Sequence, residues 1–314
     1  MPHAFIAGVD LGASNVRVVI TNEDGEIEAR RSSPFSGEDP ERALHSIGKT
    51  IDELVRGVWP TGRVHAIGLA MPGTVDPARG LVATAANLPG WGDVDIAKAI
   101  GEPRGVPVAA ENDANAAAVG EGWLGAAKGT RDYVFVALGT GIGTGVVIDG
   151  RLHRGAHFLA GEAAFFPMTR EQLRAGGWSN NLEAIVGGRA IAAKAQALLG
   201  PHAKPGDLFD SAASGDAKAS AWLEEWRQYL AMALVDIIAM LDPQAVIVGG
   251  GVAMAHGEAL LAPVRELVHG ASPVRTPVVL SELGTDAQVL GAVKLALQKL
   301  EAETETRGRE GLGP

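Results

Sequence analysis

The chain has 314 residues, 46% of them apolar, 20% charged and only 5% aromatic, a balance that suits a soluble globular protein and excludes a disordered one. Twenty-seven Lys and Arg against 37 Asp and Glu give a net charge of -10, so general attraction to nucleic acid or anionic lipid is not expected, and an anionic ligand has to be held by local geometry. Cysteine is absent, which excludes disulfides, thiol nucleophiles and cysteine-containing zinc sites and makes a reducing cytoplasm the expected compartment.

At about 150 residues per domain, two domains are expected. The N-terminal residues carry no basic stretch and reach Asp10 before an apolar run develops, so no signal peptide is expected. Residues 5–10 and 16–21 read as strands, Asp24-Gly25 as a turn, and Ile27 as the start of a third strand, which together make a β-meander. Residues 41–55 set Leu44, Ile47, Ile51, Leu54 and Val55 on one helical face, with Asp39 or Ser36 as the cap ahead of Pro40. Gly48-Lys49-Thr50 lies inside that helix and lacks the first Walker glycine, Ala43 standing in its place. Residues 106–110 read as a strand leading into an Ala-rich helix. Trp222, Trp226, Leu230, Ala233, Ile237 and Leu241 mark a long helix with a core-facing stripe, stopped at Asp242-Pro243. Its apolar stretch, 229–241, is broken by Asp236 and falls short of the roughly 20 residues that span a bilayer. A further helix is expected from near Gly257. The last helix is expected to end near Leu300, followed by a polar tail that frays.

An internal repeat organises these elements. Val9-Asp10-Leu11-Gly12, followed by Val18-Val19-Ile20 and Asp24-Gly25, recurs as Val136-Ala137-Leu138-Gly139, followed by Val146-Val147-Ile148 and Asp149-Gly150. Two hairpins that merely look alike would also give this pattern. Two duplicated halves facing each other would instead make a nucleotide cleft between domains.

Four segments could carry chemistry. Asp10-Leu11-Gly12-Ala13-Ser14-Asn15 is either an ordinary hairpin or a phosphate-binding turn, in which Gly12 and Ala13 admit phosphates and Asp10 holds Mg²⁺ directly or through water. Residues 138–145 alternate four glycines, an entropic cost that a ligand or a close backbone would justify, without the spacing of a dinucleotide fingerprint. Gly249-Gly250-Gly251 follows a strand and is either a plain strand-to-helix loop or a seat for the base and ribose of a nucleotide. In Glu111-Asn112-Asp113-Ala114, one polar residue can simply cap the Ala-rich helix. Alternatively, Asp113 accepts the proton of an attacking hydroxyl while Asn112 orients the substrate.

The ordered set of residues 10–15, Met71-Pro72-Gly73, Asn87-Leu88-Pro89-Gly90-Trp91, residues 111–118 and 138–145, Gly161-Glu162 and residues 248–251 resembles the ROK family of sugar kinases and repressors over nearly the whole chain. The resemblance implies an α/β, two-domain actin-like (ribonuclease H-like) ATPase fold with an interdomain cleft. The expected division is a small domain over 1–115, completed by a C-terminal helix at about 290–302, a larger domain over 116–289, and a flexible tail over 303–314. It also implies ATP- and Mg²⁺-dependent phosphorylation of a hexose, with Asp113 as base. Sugar contacts would come from Gly73, Asn87, Asn112, Asp113, Glu162 and Glu183. ATP contacts would come from Asp10, Gly12, Ala13, Ser14, Asn15, Thr140, Gly141, Gly250 and Gly251, with Asp10 meeting Mg²⁺. The members it looks most like are glucokinases, and a homodimer is implied, without nucleic acid or membrane partners. Fructose, mannose, N-acetylmannosamine or N-acetylglucosamine remain open as acceptors, polyphosphate as donor, and a non-catalytic sugar-binding or regulatory role as the alternative.

Two departures from the family pattern stand out. Phe165 replaces a histidine that the family sets against metal and sugar, and the cysteine-rich zinc motif is replaced by residues 176–183, so no zinc site is expected although Glu183 is kept. Phe158, Phe165, Phe166, Trp178 and Leu182 are the apolar groups expected to hold this loop instead. His153 and His157 flank Gly155 and read as loop residues, not metal ligands.

Overall fold

The computed structural model describes residues 4–35, 39–77, 79–84, 88–176 and 181–310. Asn87, Ser36 and Trp178, named above, lie outside them. The chain divides into two units: Met1–Gly125 with Gly155–Leu159 and Asp286–Pro314, and Ala126–Arg154 with Ala160–Thr285.

The first unit opens with β1 (Ile6–Leu11), β2 (Asn15–Thr21) and β3 (Ile27–Pro34), then α1 (Pro40–Val58) and β4 (Ala66–Met71). A small ribbon, β5 (Thr74–Asp76) and β6 (Leu81–Thr84), precedes β7 (Val108–Asn112) and α2 (Asp113–Leu124). The sheet order is β3-β2-β1-β4-β7, with β1 antiparallel to β2 and parallel to β4. β1 and β4 are buried along their whole length, which explains why both are unbroken runs of small and apolar residues apart from Asp10. Asn22 shapes the turn after β2, its Oδ1 accepting from the Asp24 and Glu26 amides at 3.1 and 3.0 Å. In α1, Leu44, Ile47, Ile51 and Val55 are buried, and Asp39 caps the helix by accepting from the Glu41 amide ahead of Pro40.

The second unit repeats the plan. β8 (Tyr133–Leu138), β9 (Ile142–Ile148) and β10 (Arg151–His153) form a second meander. They are followed by α3 (Arg170–Ala175), α4 (Leu182–Val186), α5 (Gly188–Leu199), α6 (Pro205–Ala213), α7 (Ala217–Leu241), β11 (Ala245–Gly249), α8 (Gly251–Ala271) and β12 (Val278–Leu280). The order β10-β9-β8-β11-β12 matches the first sheet strand for strand, with β8 antiparallel to β9 and parallel to β11. The core of this unit gathers Leu182, Trp226, Leu230, Leu234, Val248 and Leu260, and the Trp226 indole N–H donates to the Val186 carbonyl at 3.1 Å.

The final helix, α9 (Ala287–Glu310), returns to the first unit and packs on α2 and β4. Small residues allow this: a Cβ at Gly291 would overlap the Ala116 carbonyl, and one at Gly68 the Ala292 carbonyl. The Ala-rich face of α2 is therefore a helix-packing surface, buried at Ala114, Ala116, Ala117, Ala118 and Gly120.

Several expected boundaries move. The first unit runs past residue 115 to Gly125, because α2 belongs wholly with α9. The last helix continues through Glu310 instead of ending near Leu300. The strand expected at 106–110 is shifted to Val108–Asn112 by its parallel ladder with β4, which pairs Met71 with Asn112. Helix α8 begins at Gly251, and Gly257 is a break inside it (φ 53°, ψ -135°). No helix among the described residues is long and apolar enough to cross a membrane.

Candidate active site

In the first unit the turn between β1 and β2 is closed by the Gly12 amide donating to the Asn15 carbonyl at 2.9 Å, which leaves Ala13 and Ser14 exposed at its tip. Asn15 Nδ2 donates to Ser32 Oγ at 2.7 Å and the Ser14 carbonyl accepts from the Phe35 backbone amide, so both residues brace the turn against β3 and its end. Asp10 faces Arg17 across the β1–β2 ladder. Arg17 Nε and Nη2 both donate to Asp10 Oδ2, at 3.0 and 2.6 Å. Burial raises the Asp10 carboxyl above the usual carboxylate range, against the opposing pull of the guanidinium. Arg17 is a functional candidate that the motif reading missed. A hairpin centred on Ala13 and Ser14 places position 17 opposite position 10, and that register was the available signal.

Asn112 ends β7 and caps α2, its Oδ1 accepting from the Ala114 and Asn115 amides at 2.9 and 3.2 Å. Its Nδ2 donates to the Gly73 carbonyl at 3.0 Å, and so ties the loop after β4 to the head of the helix. The capping role is thus observed for Asn112. Asp113 is the first residue of α2, half-buried, with Oδ1 accepting from the Ala114 amide at 2.8 Å. Behind them the buried Glu111 accepts from the Asn112 backbone amide and from Asn115 Nδ2, both at 3.0 Å.

In the second unit the turn between β8 and β9 exposes Thr140 and is tightened by the Gly139 amide donating to the Gly141 carbonyl at 3.0 Å. Two further segments press on it. Gly250, at φ 87°, caps α8 against the backbone of Leu138, where an added Cβ would lie 2.5 Å from the carbonyl oxygen. From the junction of α4 and α5, the Gly188 and Arg189 amides donate to the Gly139 and Thr140 carbonyls at 2.9 and 3.0 Å. Gly187 and Gly188 went unnoticed in the sequence. Gly188 is needed because a Cβ there would lie 2.5 Å from the Gly139 carbonyl oxygen of the turn. Glu183 Oε2 accepts from the Ile142 amide at 3.2 Å and lies against Gly141. Glu162 follows Gly161 at the head of a short 3-10 turn, Ala163–Phe165, and makes no capping bond. Burial, and second the neighbouring Glu183 charge, hold its carboxyl above the usual range. Phe165 and Phe166 pack on the core of this unit, and the Leu182 amide donates to the Phe166 carbonyl at 2.9 Å, which joins the two glutamate segments. Phe158, expected in the same cluster, falls in the segment grouped with the first unit.

Among the described residues no group of three or more His, Asp or Glu side chains could hold a metal ion. Asp10 is the one proposed Mg²⁺ contact. Its carboxylate is of the oxygen-donor type the ion takes, and Mg²⁺ on a nucleotide keeps most of its water, so a single carboxylate braced by Arg17 fits an outer-sphere contact.

The ROK family model matches residues 6–299. The chain belongs to the ROK family. A glucokinase of Thermotoga maritima is 32% identical, with 96% of this chain and 99% of the relative covered. Among solved structures, the ROK hexokinase of Thermus thermophilus shares 32% identity at a TM-score of 0.80 over 95% of this chain and 99% of its own. A ROK glucokinase of Streptomyces griseus, solved with glucose and AMPPNP, shares 28% at a TM-score of 0.77 over 94% and 100%. The fold is that of the actin-like ATPases, and the repeated strand order of the two sheets is its internal duplication.

Proposed function

We propose that this ROK protein transfers the terminal phosphoryl group of ATP to a hexose, with D-glucose as the acceptor. The acceptor hydroxyl oxygen attacks the γ-phosphorus, its proton passes to Asp113, and ADP leaves. The observation that carries the reading is the division of labour at the head of α2: Asn112 caps the helix and holds the Gly73 loop, and Asp113 stands next to it with a carboxylate. A helix N-terminus weakens a carboxylate as a base, which phosphoryl transfer tolerates because its loose transition state depends on positioning more than on early proton removal. Gly73, Asn87, Asn112 and Glu162 would bind the sugar together with Glu183. Gly12, Ala13, Ser14, Asn15, Thr140, Gly141, Gly250 and Gly251 would receive the nucleotide. Bound Mg²⁺ would neutralise phosphate charge, with Asp10 meeting it through water. Glucose is favoured by the glucokinase relative and by the glucose held in the Streptomyces griseus structure.

The test is ADP formation with a panel of hexoses and N-acetylhexosamines, for the wild type and for Asp113→Asn. The variant is expected to keep the fold and much of the sugar affinity while kcat falls by at least about 10². Wild-type turnover in Asp113→Asn would overturn the assignment of the base. Sugar binding without ADP formation from any acceptor would favour the regulatory reading of the family instead.

A further inference from the structure

Glu183 enters the proposed function as a sugar contact, yet its bonds within the second unit point elsewhere. Its Oε2 accepts from the Ile142 amide at 3.2 Å, and the carboxylate lies so close to Gly141 that any Cβ there would overlap it. The segment that follows completes the grip: the Gly187 amide donates to the Glu183 carbonyl at 2.9 Å, and the next two amides reach the carbonyls of Gly139 and Thr140. Residues 139, 140 and 142 are therefore each bonded to the stretch 183–189. Only the bond at 142 comes from a side chain.

We infer that Glu183 is a positioning residue for the nucleotide: its carboxylate fixes the turn between β8 and β9 in the shape that receives phosphate, whether or not sugar is present. The inference rests on the proposed reading of that turn as a phosphate site. A Cβ at Gly141 would take the space the carboxylate occupies, and the short helix α4 carries Glu183 one residue after the buried Leu182 anchors the helix in the core. One oxygen is committed to the turn. A sugar hydroxyl on the same carboxylate would then sense, and be sensed by, the phosphate turn.

The deciding measurement is ADP affinity without hexose, by calorimetry, for the full chain and for Glu183→Ala, Glu183→Gln and Glu183→Asp. Glu183→Ala removes the acceptor from the Ile142 amide and is expected to weaken ADP about tenfold, or about 1.4 kcal/mol. Glu183→Gln keeps an oxygen acceptor of the same reach and is expected to stay within about threefold of wild type. Glu183→Asp keeps the charge but withdraws it by one methylene, and is expected to fall toward the alanine variant. It also serves as the second arm should Glu183→Ala fail to fold. Unchanged ADP affinity in folded Glu183→Ala or Glu183→Asp, with only sugar KM raised, would overturn the inference and leave Glu183 as a sugar contact alone. A glutamine variant as poor as the alanine variant would also overturn it. A wild-type chain that binds no ADP would overturn the reading of the turn itself, a result distinct from either.

Discussion

Asn112 links the fold to the proposed chemistry through three bonds, and two substitutions separate them. Asn112→Ala removes the cap from α2, worth about 1 kcal/mol, and the tether to the Gly73 carbonyl, worth about another 1 kcal/mol. At roughly 2–4 °C per kcal/mol for a unit of this size, the loss of about 2 kcal/mol lowers Tm by about 4–8 °C. Asn112→Asp keeps an oxygen for the Ala114 and Asn115 amides and gains from the helix dipole, but sets a carboxylate against the Gly73 carbonyl. Its Tm should therefore fall by only about half as much, while sugar KM rises in both variants because the Gly73 loop is released. Calorimetry with steady-state kinetics on the two proteins reads both quantities. An Asn112→Ala protein melting within about 1 °C of wild type, or an aspartate variant with unaltered sugar KM, would refute the view that this side chain anchors loop and helix together.

Glu162 carries a pH prediction. Its folded-state pKa is raised, so it stabilises the fold below its unfolded pKa, and that contribution is lost as pH climbs through the higher folded value. Glu162→Gln should accordingly melt above wild type at neutral pH without sugar, with the difference vanishing in acid; equal melting temperatures at neutral pH would contradict the assignment. Gly291→Ala forces a Cβ onto the Ala116 carbonyl, a backbone atom that cannot swing aside, and should destabilise the first unit by about 1–3 kcal/mol, visible as a lower urea midpoint. Chelators should leave Tm unchanged and elemental analysis should find no stoichiometric zinc, whereas Phe165→Ala should raise sugar KM by loosening the segment that carries Glu162. One zinc per chain, or an unchanged KM, would mean that the segment is held by something other than packing.

Local pattern made some of this legible, and contacts between distant segments hid the rest. The two meanders could be read because each strand and turn is specified locally, by short apolar runs and Asp-Gly turns. Helix α1 could be read for the same reason, since its cap, Pro40 and apolar face lie within one segment. The Ala-rich run after Asp113 could be read as a helix, but neither its close packing nor its partner could. That partner is α9, reached only after the second unit is complete, and the boundary expected at 115 cut through a helix that belongs with it. The strand before Asp113 had its edges set by the ladder with β4, which no periodicity inside 106–112 reveals. At the candidate site the same distinction holds. Glycines at turns are visible because their conformational cost is local, whereas the residues that hold those turns, Arg17 for Asp10 and Glu183 for Gly141, act through spatial neighbours. A residue's type can suggest that it binds ligand; only the fold shows whether its polar atoms are already engaged, and for Asn112, Asn15 and Glu183 they are.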